Sequence, residues 1–206
     1  MTRMTKIAVS LMLLSMTAVS AQAQMQSAGR LDRPGISRTA NELFSQVCVE
    51  QFGDRAGMGR ALEKHGFNPA PPEAAAQAAA RLPIGEPGQV WRWNDATQPM
   101  LVVIRDAGVR CQLMAPFVDV EESPERFRQT MTGLRRAGVK VETERDEPAE
   151  LGGQPGRQVF FRVHLPDGNG ESRLFALSVA PPRTGGVSLI MTASSLPPQK
   201  TSGPMR

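Results

Sequence analysis

An apolar run, Met100-Leu101-Val102-Val103-Ile104, turns through Arg105-Asp106-Ala107-Gly108 and returns as Val109-Arg110-Cys111-Gln112-Leu113-Met114. Two β-branched-rich runs on either side of a short Asp/Gly turn predict a β-hairpin. The outgoing strand is apolar on both faces, which suits a central strand covered on each side. The returning strand alternates, sending Val109, Cys111 and Leu113 toward one layer and Arg110 and Gln112 toward the other. Cys111 is thereby aimed at the core, and the chain holds one other cysteine, Cys48.

The compartment follows from the first residues. Met1 to Lys6 carries Arg3 and Lys6, Ile7 to Ser20 is apolar apart from small hydroxyl residues, and Ala21-Gln22-Ala23 has the small-x-small form of a signal-peptidase site. Residues 1–23 are read as a signal peptide cleaved after Ala23, with Val19-Ser20-Ala21 as the second choice. A membrane anchor is the competing reading, but the apolar part is about 14 residues against the roughly 20 a spanning helix needs. No later stretch comes close, and no cysteine follows the cleavage site to carry a lipid. The expectation is a soluble periplasmic or secreted protein with no membrane span after cleavage. Without Arg3 and Lys6 the count of Lys+Arg falls from 24 to 22 against 20 Asp+Glu, so the formal net charge drops from +4 to +2. Nucleic acid is a poor partner for such a chain: basic residues are scattered among acidic ones, tyrosine is absent, and aromatics are only 5%, which leaves little to stack on bases.

In an oxidising compartment two cysteines with no competing third thiol imply one disulfide, Cys48–Cys111. Closing a loop of about 63 residues stabilises a fold by roughly 4 kcal/mol on the chain-entropy model. The alternatives are two free buried thiols or a redox pair. The second fits poorly, because there is no Cys-x-x-Cys spacing and Cys48 lies on an apolar helical pattern.

In chain order, residues 24–36 read as a flexible lead-in containing Pro34-Gly35. A single domain is expected over 37–195, followed by a disordered tail at 196–206. The first helix is expected to start at a capping box, Thr39-x-x-Glu42, and to carry Leu43, Phe44, Val47 and Cys48 on its buried stripe. A second helix spans Asp54 to His65, with Gly66 as its stop. Asn68-Pro69-Ala70-Pro71-Pro72 is a stiff break, and the alanine-rich Glu73 to Arg81 is a solvent-exposed helix or a mobile flap. Gly88 to Trp93 resumes strand character and leads through Asn94 to Thr97 into the central hairpin. Ser123-Pro124-Glu125 then opens a helix with Phe127, Met131 and Leu134 buried, Arg135 and Arg136 at its carbonyl end and Gly138 as its stop. Four strand candidates close the chain: Val139 to Glu144, Gln158 to Leu165, Arg173 to Val179 and Val187 to Ala193, the last three separated by explicit turns at Asp167 to Gly170 and Pro181 to Gly186. The fold class is α+β: a curved, mostly antiparallel sheet of about six to seven strands, with N-terminal helices and one central helix packed on one face.

Candidate chemistry is sparse. Gly57-Met58-Gly59 and Gly152-Gly153 with Gly156 lack the strand-loop-helix setting and the Lys-Ser/Thr pair of a phosphate loop. No Gly-x-Ser-x-Gly elbow is present, and no cofactor is called for. A zinc site would need His65 and His164 together with distant carboxylates, so no metal is expected. His65 reads as a dipole partner at its helix end, and His164 as a solvated residue beside Gln158 and Arg162. The carboxylates Asp119, Glu121 and Glu122, and Glu142, Glu144, Asp146, Glu147 and Glu150, read as solvated surface rather than a glycosidase pair. Trp91 and Trp93 fall on one side of their strand. They are the best candidates for a binding surface, but covering the core on the inner side of their strand is the favoured reading.

The signal peptide, the helix with Leu43, Phe44, Val47 and Cys48, the Trp-containing strand and the second cysteine within Val109 to Leu113 together resemble small exported proteins of Gram-negative bacteria. The likeness implies a periplasmic location and supplies neither an activity nor site residues. The expected function is a non-enzymatic binding or accessory module of the cell envelope, with an envelope protein or a small ligand as partner. The rival is a periplasmic hydrolase using His65 or His164 with a nearby carboxylate.

Overall fold

In a computed structural model of the chain, residues 32–81, 88–93, 100–106, 109–135, 139–165, 171–181 and 187–196 are described. The expected leader and its cleavage site, most of the lead-in, Arg136, Gly138, the tail from 197 and the turns at 94–97, 107–108, 167–170 and 182–186 lie outside them.

The fold is α+β. Helices α1 (Arg33–Leu43), α2 (Arg55–Lys64), α3 (Pro72–Arg81) and α4 (Glu122–Gly133) accompany strands β1 (Phe67–Pro69), β2 (Gln89–Trp93), β3 (Leu101–Ile104), β4 (Val109–Ala115), β5 (Lys140–Glu150), β6 (Pro155–His164), β7 (Ser172–Val179) and β8 (Leu189–Leu196). A π-helical turn, Phe44–Val49, continues α1 directly. The strands make one open antiparallel sheet in the order β1-β2-β3-β4-β8-β7-β6-β5. Two four-strand meanders thus meet in the middle: β1 to β4 build inward from one edge, the chain passes through α4 to the far edge, and β5 to β8 return until β8 pairs with β4.

The eight strands exceed the expected six to seven. The added strand is β1, where the stretch expected as a stiff break pairs Phe67 to Pro69 with Trp93 to Trp91. Proline is tolerated there because an edge strand has one side with no ladder to donate to.

The central hairpin forms with Leu101 opposite Met114 and Ile104 opposite Cys111. Val102, Val103 and Ile104 are all buried, because helices cover both faces of the sheet at this point. On one face α1, the π turn, α2 and α4 cover the core-directed residues of the strands, Val102, Leu113, Met191, Leu177 and Val159 among them. Aromatic contacts tie the two layers: Phe44 meets Phe127 at 5.9 Å and Phe175 at 6.3 Å, and Phe127 meets Phe161 at 5.8 Å. On the opposite face Ala75 of α3 packs against Val90, Val103 and Met114. The expectation that all helices share one face is therefore corrected. β3 is apolar on both sides, and Val90 and Met114 flank Val103 on the second one, where the small side chain of Ala75 lets a helix settle.

Cys48 in the π turn and Cys111 in β4 form the disulfide, with Cα atoms 5.4 Å apart and both residues fully buried. Because β1 precedes it in the sheet, the pinned strand is the fourth rather than the third.

Several boundaries shift for physical reasons. α1 starts at Arg33, inside the expected lead-in, since a proline in the first turn forfeits only an N–H that has no helical acceptor. Thr39 is consequently mid-helix, and its hydroxyl donates back to the Gly35 carbonyl at 3.0 Å instead of capping. In α4 the cap is Asp119, whose carboxylate accepts from the Glu121 and Glu122 N–H groups at 2.9 Å each. Ser123 lies within the helix and is fully buried. Its hydroxyl donates to the Asp119 carbonyl at 2.7 Å and sits 3.0 Å from the Ser37 hydroxyl, latching α4 to α1. β5 runs on to Glu150, past the expected end at Glu144, and reverses through Gly152 and Gly153 at φ 60° and 73°. Those left-handed angles explain the two glycines. Val187, expected in the last strand, lies outside it and is 39% exposed.

Candidate functional site

The residues singled out from the sequence fall in separate places. Trp91 is 3% exposed and belongs to the core beneath α2, close enough that a Cβ at Gly59 would sit 3.4 Å from its ring. Trp93 is half-buried and stacks on Phe67 at 5.8 Å with 14° between the planes. Both indoles point to the side of β2 that faces α2 and the main core rather than α3. For Trp91 the core-covering role is thus the one its packing describes.

His65 and His164 have different neighbours. His65 Nε2 lies 2.7 Å from Gln46 Oε1 of the π turn, and His164 Nε2 lies 2.9 Å from Glu142 Oε2 on the neighbouring strand. Lys140 also pairs with Glu142. Lys140 first, and His164 second, hold the Glu142 carboxyl down at about 2. Next to them Arg162 pairs with Glu144. These contacts form a charged ladder along β5 and β6. Among the described residues, no group of three or more His, Cys, Asp or Glu converges to hold a metal.

Two arginines lie in the core phase of their strands, and their surroundings differ. On β6, Arg157 alternates in step with Val159, Phe161 and Val163. It meets Asp146 at 2.7 Å, and Asp146 also accepts from Arg128 of α4 at 2.6 Å. The carboxylate bridges helix to sheet, and Arg128 followed by Arg157 holds its pKa below the ordinary value. Of the carboxylates expected as surface, Asp146 ties α4 to the sheet, and Asp119 caps that helix.

At the other end of the sheet, Arg173 of β7 is in step with Phe175, Leu177 and Val179. Its guanidinium carbon sits 4.4 Å from the centroid of Phe52, which lies in the turn after the π helix. The second cation on that ring is Arg110, at 5.9 Å. Strict alternation would send Arg110 to the opposite face with Gln112. A bulge between Val109 and Cys111, opposite Ser194 and Ala193 of β8, turns it instead to the helix side. Phe52 is itself held edge-on against Phe175 at 6.0 Å.

Neither arginine of this pair has a salt-bridge partner among the described residues, and the Arg110 Nε is buried with no hydrogen-bond partner. Burial, and after it the charge of Arg110, lower the pKa of Arg173, while Glu171 pulls the other way. Two guanidinium groups crowd one aromatic ring with a single acid nearby. Cation–π contact offsets part of their cost, about 0.5–2 kcal/mol per cation according to exposure. For half-buried groups such as these, a charge without a counter-ion carries part of the desolvation cost of a buried one. An oxyanion between the two forks would satisfy both at once, because guanidinium geometry matches carboxylate and phosphate oxygens.

The sequence carried half of this signal. A charge at a core-phased position is visible in Arg173 from its spacing to Phe175. Arg110 was unreadable, because a bulge is a property of two paired strands.

No protein-family model and no curated protein sequence matches the chain. No helix among the described residues is long and apolar enough to cross a membrane.

Proposed function

We propose that this is an exported, non-enzymatic binding module of the bacterial cell envelope, and that it takes an oxyanionic group, a phosphate or a carboxylate, between Arg110 and Arg173 over Phe52. One observation carries the reading: two guanidinium groups are brought to one ring, one of them by a bulge, with no carboxylate among the described residues paired to either. The Arg128–Asp146–Arg157 bridge makes the contrast, since there the same fold supplies the acid. Export is supported by the buried disulfide, which persists in oxidising compartments, and by the leader-like N-terminal sequence. The hydrolase alternative retains one supporting contact, the His164–Glu142 pair, an acid–base couple on a half-exposed strand face.

The test is titration of the full exported chain with inorganic phosphate and with acetate, followed by amide chemical shifts. Saturable shifts at Phe52, Arg110 and Arg173, weakened roughly tenfold in Arg110→Gln and in Arg173→Gln, are expected, about 1.4 kcal/mol each. Vesicles with anionic headgroups form a second arm that separates a lipid-borne phosphate from a free one. Absence of a saturable response to phosphate, acetate and vesicles alike rejects the reading.

A further inference from the structure

The two faces of the sheet are closed by unequal means. On the face that α3 covers, Val90, Val103 and Met114 are 6%, 1% and 1% exposed, and Leu101 and Ile190 lie partly buried beside them. Aliphatic side chains from β2, β3, β4 and β8 thus meet in one patch. The residues packed over that patch from outside the sheet are Ala70 and Ala75. α3 reads Pro-Glu-Ala-Ala-Ala-Gln-Ala-Ala-Ala-Arg, so beyond its first residue it offers no apolar side chain larger than a methyl group. Apolar stabilisation follows the area removed from water, and alanine has little to remove.

The opposite face is held by stronger ties. A disulfide joins the π turn to β4, the Ser37 and Ser123 hydroxyls link α1 to α4, and Asp146 bridges Arg128 of α4 to Arg157 of β6. Nothing comparable secures α3: among the described residues, neither Glu73 nor Gln77 forms a side-chain hydrogen bond or an ion pair. At ten residues α3 is also too short to keep its shape unaided, since isolated helices under roughly 12–15 residues are marginal in water even when rich in alanine.

We infer that α3 is a cover that lifts off by itself, baring Val90, Leu101, Val103, Met114 and Ile190 while the sheet, the disulfide and the other helices stay in place. Opening of this kind belongs to the least stable part of a fold, where few apolar contacts hold an element down. The inference is independent of the oxyanion site, which lies on the other face of the sheet.

The methionines supply an internal control. Met58, Met100, Met131 and Met191 are as fully buried as Met114, at 0–1% exposed, but they belong to the main core. Hydrogen peroxide is the probe: it passes one oxygen atom to a thioether sulfur and leaves as water. Added to the full exported chain and followed by mass spectrometry of its peptides, it should oxidise Met114 at an initial rate at least tenfold above those of the other four. Ala76 is on the exposed side of α3, so Ala76→Gly weakens the helix without touching the patch and should speed Met114 oxidation about fivefold. Asp146→Asn weakens the fold elsewhere and should leave that rate unchanged. Native-state hydrogen exchange is the second measurement. The α3 amides should exchange through a step that urea hardly affects, while those of β4 and β8 follow the full urea dependence of global unfolding. Equal oxidation of all five methionines, equal acceleration of Met114 by Ala76→Gly and Asp146→Asn, or α3 amides that share the urea dependence of β4 would each overturn the inference.

Discussion

Reduction of the Cys48–Cys111 bond is the perturbation whose size can be worked out most directly. The two residues are 63 apart in sequence. The loop-closure relation gives about 14 cal/mol/K of entropy removed from the unfolded chain, or about 4 kcal/mol at 25 °C. Both residues are fully buried, so reductant gains access only through unfolding, and the folded protein should keep its cystine for long periods in mild reductant. Urea melts of the oxidised and the fully reduced wild-type chain compare identical side chains and isolate the cross-link. The reduced form should lose about 4 kcal/mol and show a larger m-value, because its unfolded state is free to expand. For a domain of this size the loss lowers Tm by roughly 8–16 °C. The double variant Cys48→Ala with Cys111→Ala should lose a further 1–2 kcal/mol or so, for the buried volume removed. If reduction costs less than about 1 kcal/mol, the unfolded chain is already held compact by other means and the loop-closure argument fails.

Other consequences are testable on the same protein. Asp146→Asn should cost about 1–2 kcal/mol at neutral pH, after discounting for partial exposure. Because folding lowers the Asp146 pKa from 3.8, its contribution is present above the ordinary carboxylate range and is lost as pH falls through the lower folded value. Urea melts at pH 7 and at pH 3 should therefore differ less in the variant than in the wild type, and an equal difference would remove Asp146 from the acid response. On the far face of the sheet, Met114→Ala should cost roughly 2–4 kcal/mol, and Ala75→Asp should release α3. The second effect reads out as lost hydrogen-exchange protection along α3, and full protection in that variant would contradict the packing of α3 on Val90, Val103 and Met114.

The parts of the fold legible in advance were those written in a single segment. The run from Leu101 to Ile104 announces a doubly covered strand by having no polar face, and the disulfide follows from there being one cysteine to meet another. Features decided between segments were hidden. β1 is three residues with a proline, recognisable as a strand only once β2 lies beside it. The register shift that redirects Arg110 exists only in the pairing of β4 with β8. Thr39 and Ser123 both looked like caps from local spacing. The helices start earlier because Pro34 and Asp119 suit a first turn, and the two hydroxyls then bond inward. The same rule governs the candidate site: Arg173 was readable from its phase, but its closeness to Arg110 and Phe52 joins three distant stretches of chain.

The order of the strands makes the latest one the keystone. Until β8 exists, β4 has a bare edge and β7 has another, so each meander presents an unpaired row of amides and carbonyls to whatever strand is nearest. A chain emerging from its N-terminus can build β1 to β4 early, yet it cannot close the seam before residues 189–196 arrive. Premature termination just short of β8 would thus leave two sticky half-sheets instead of a slightly smaller protein. An oxidant acting early could already lock Cys48 onto β4, keeping the first half in register while it waits for its other side.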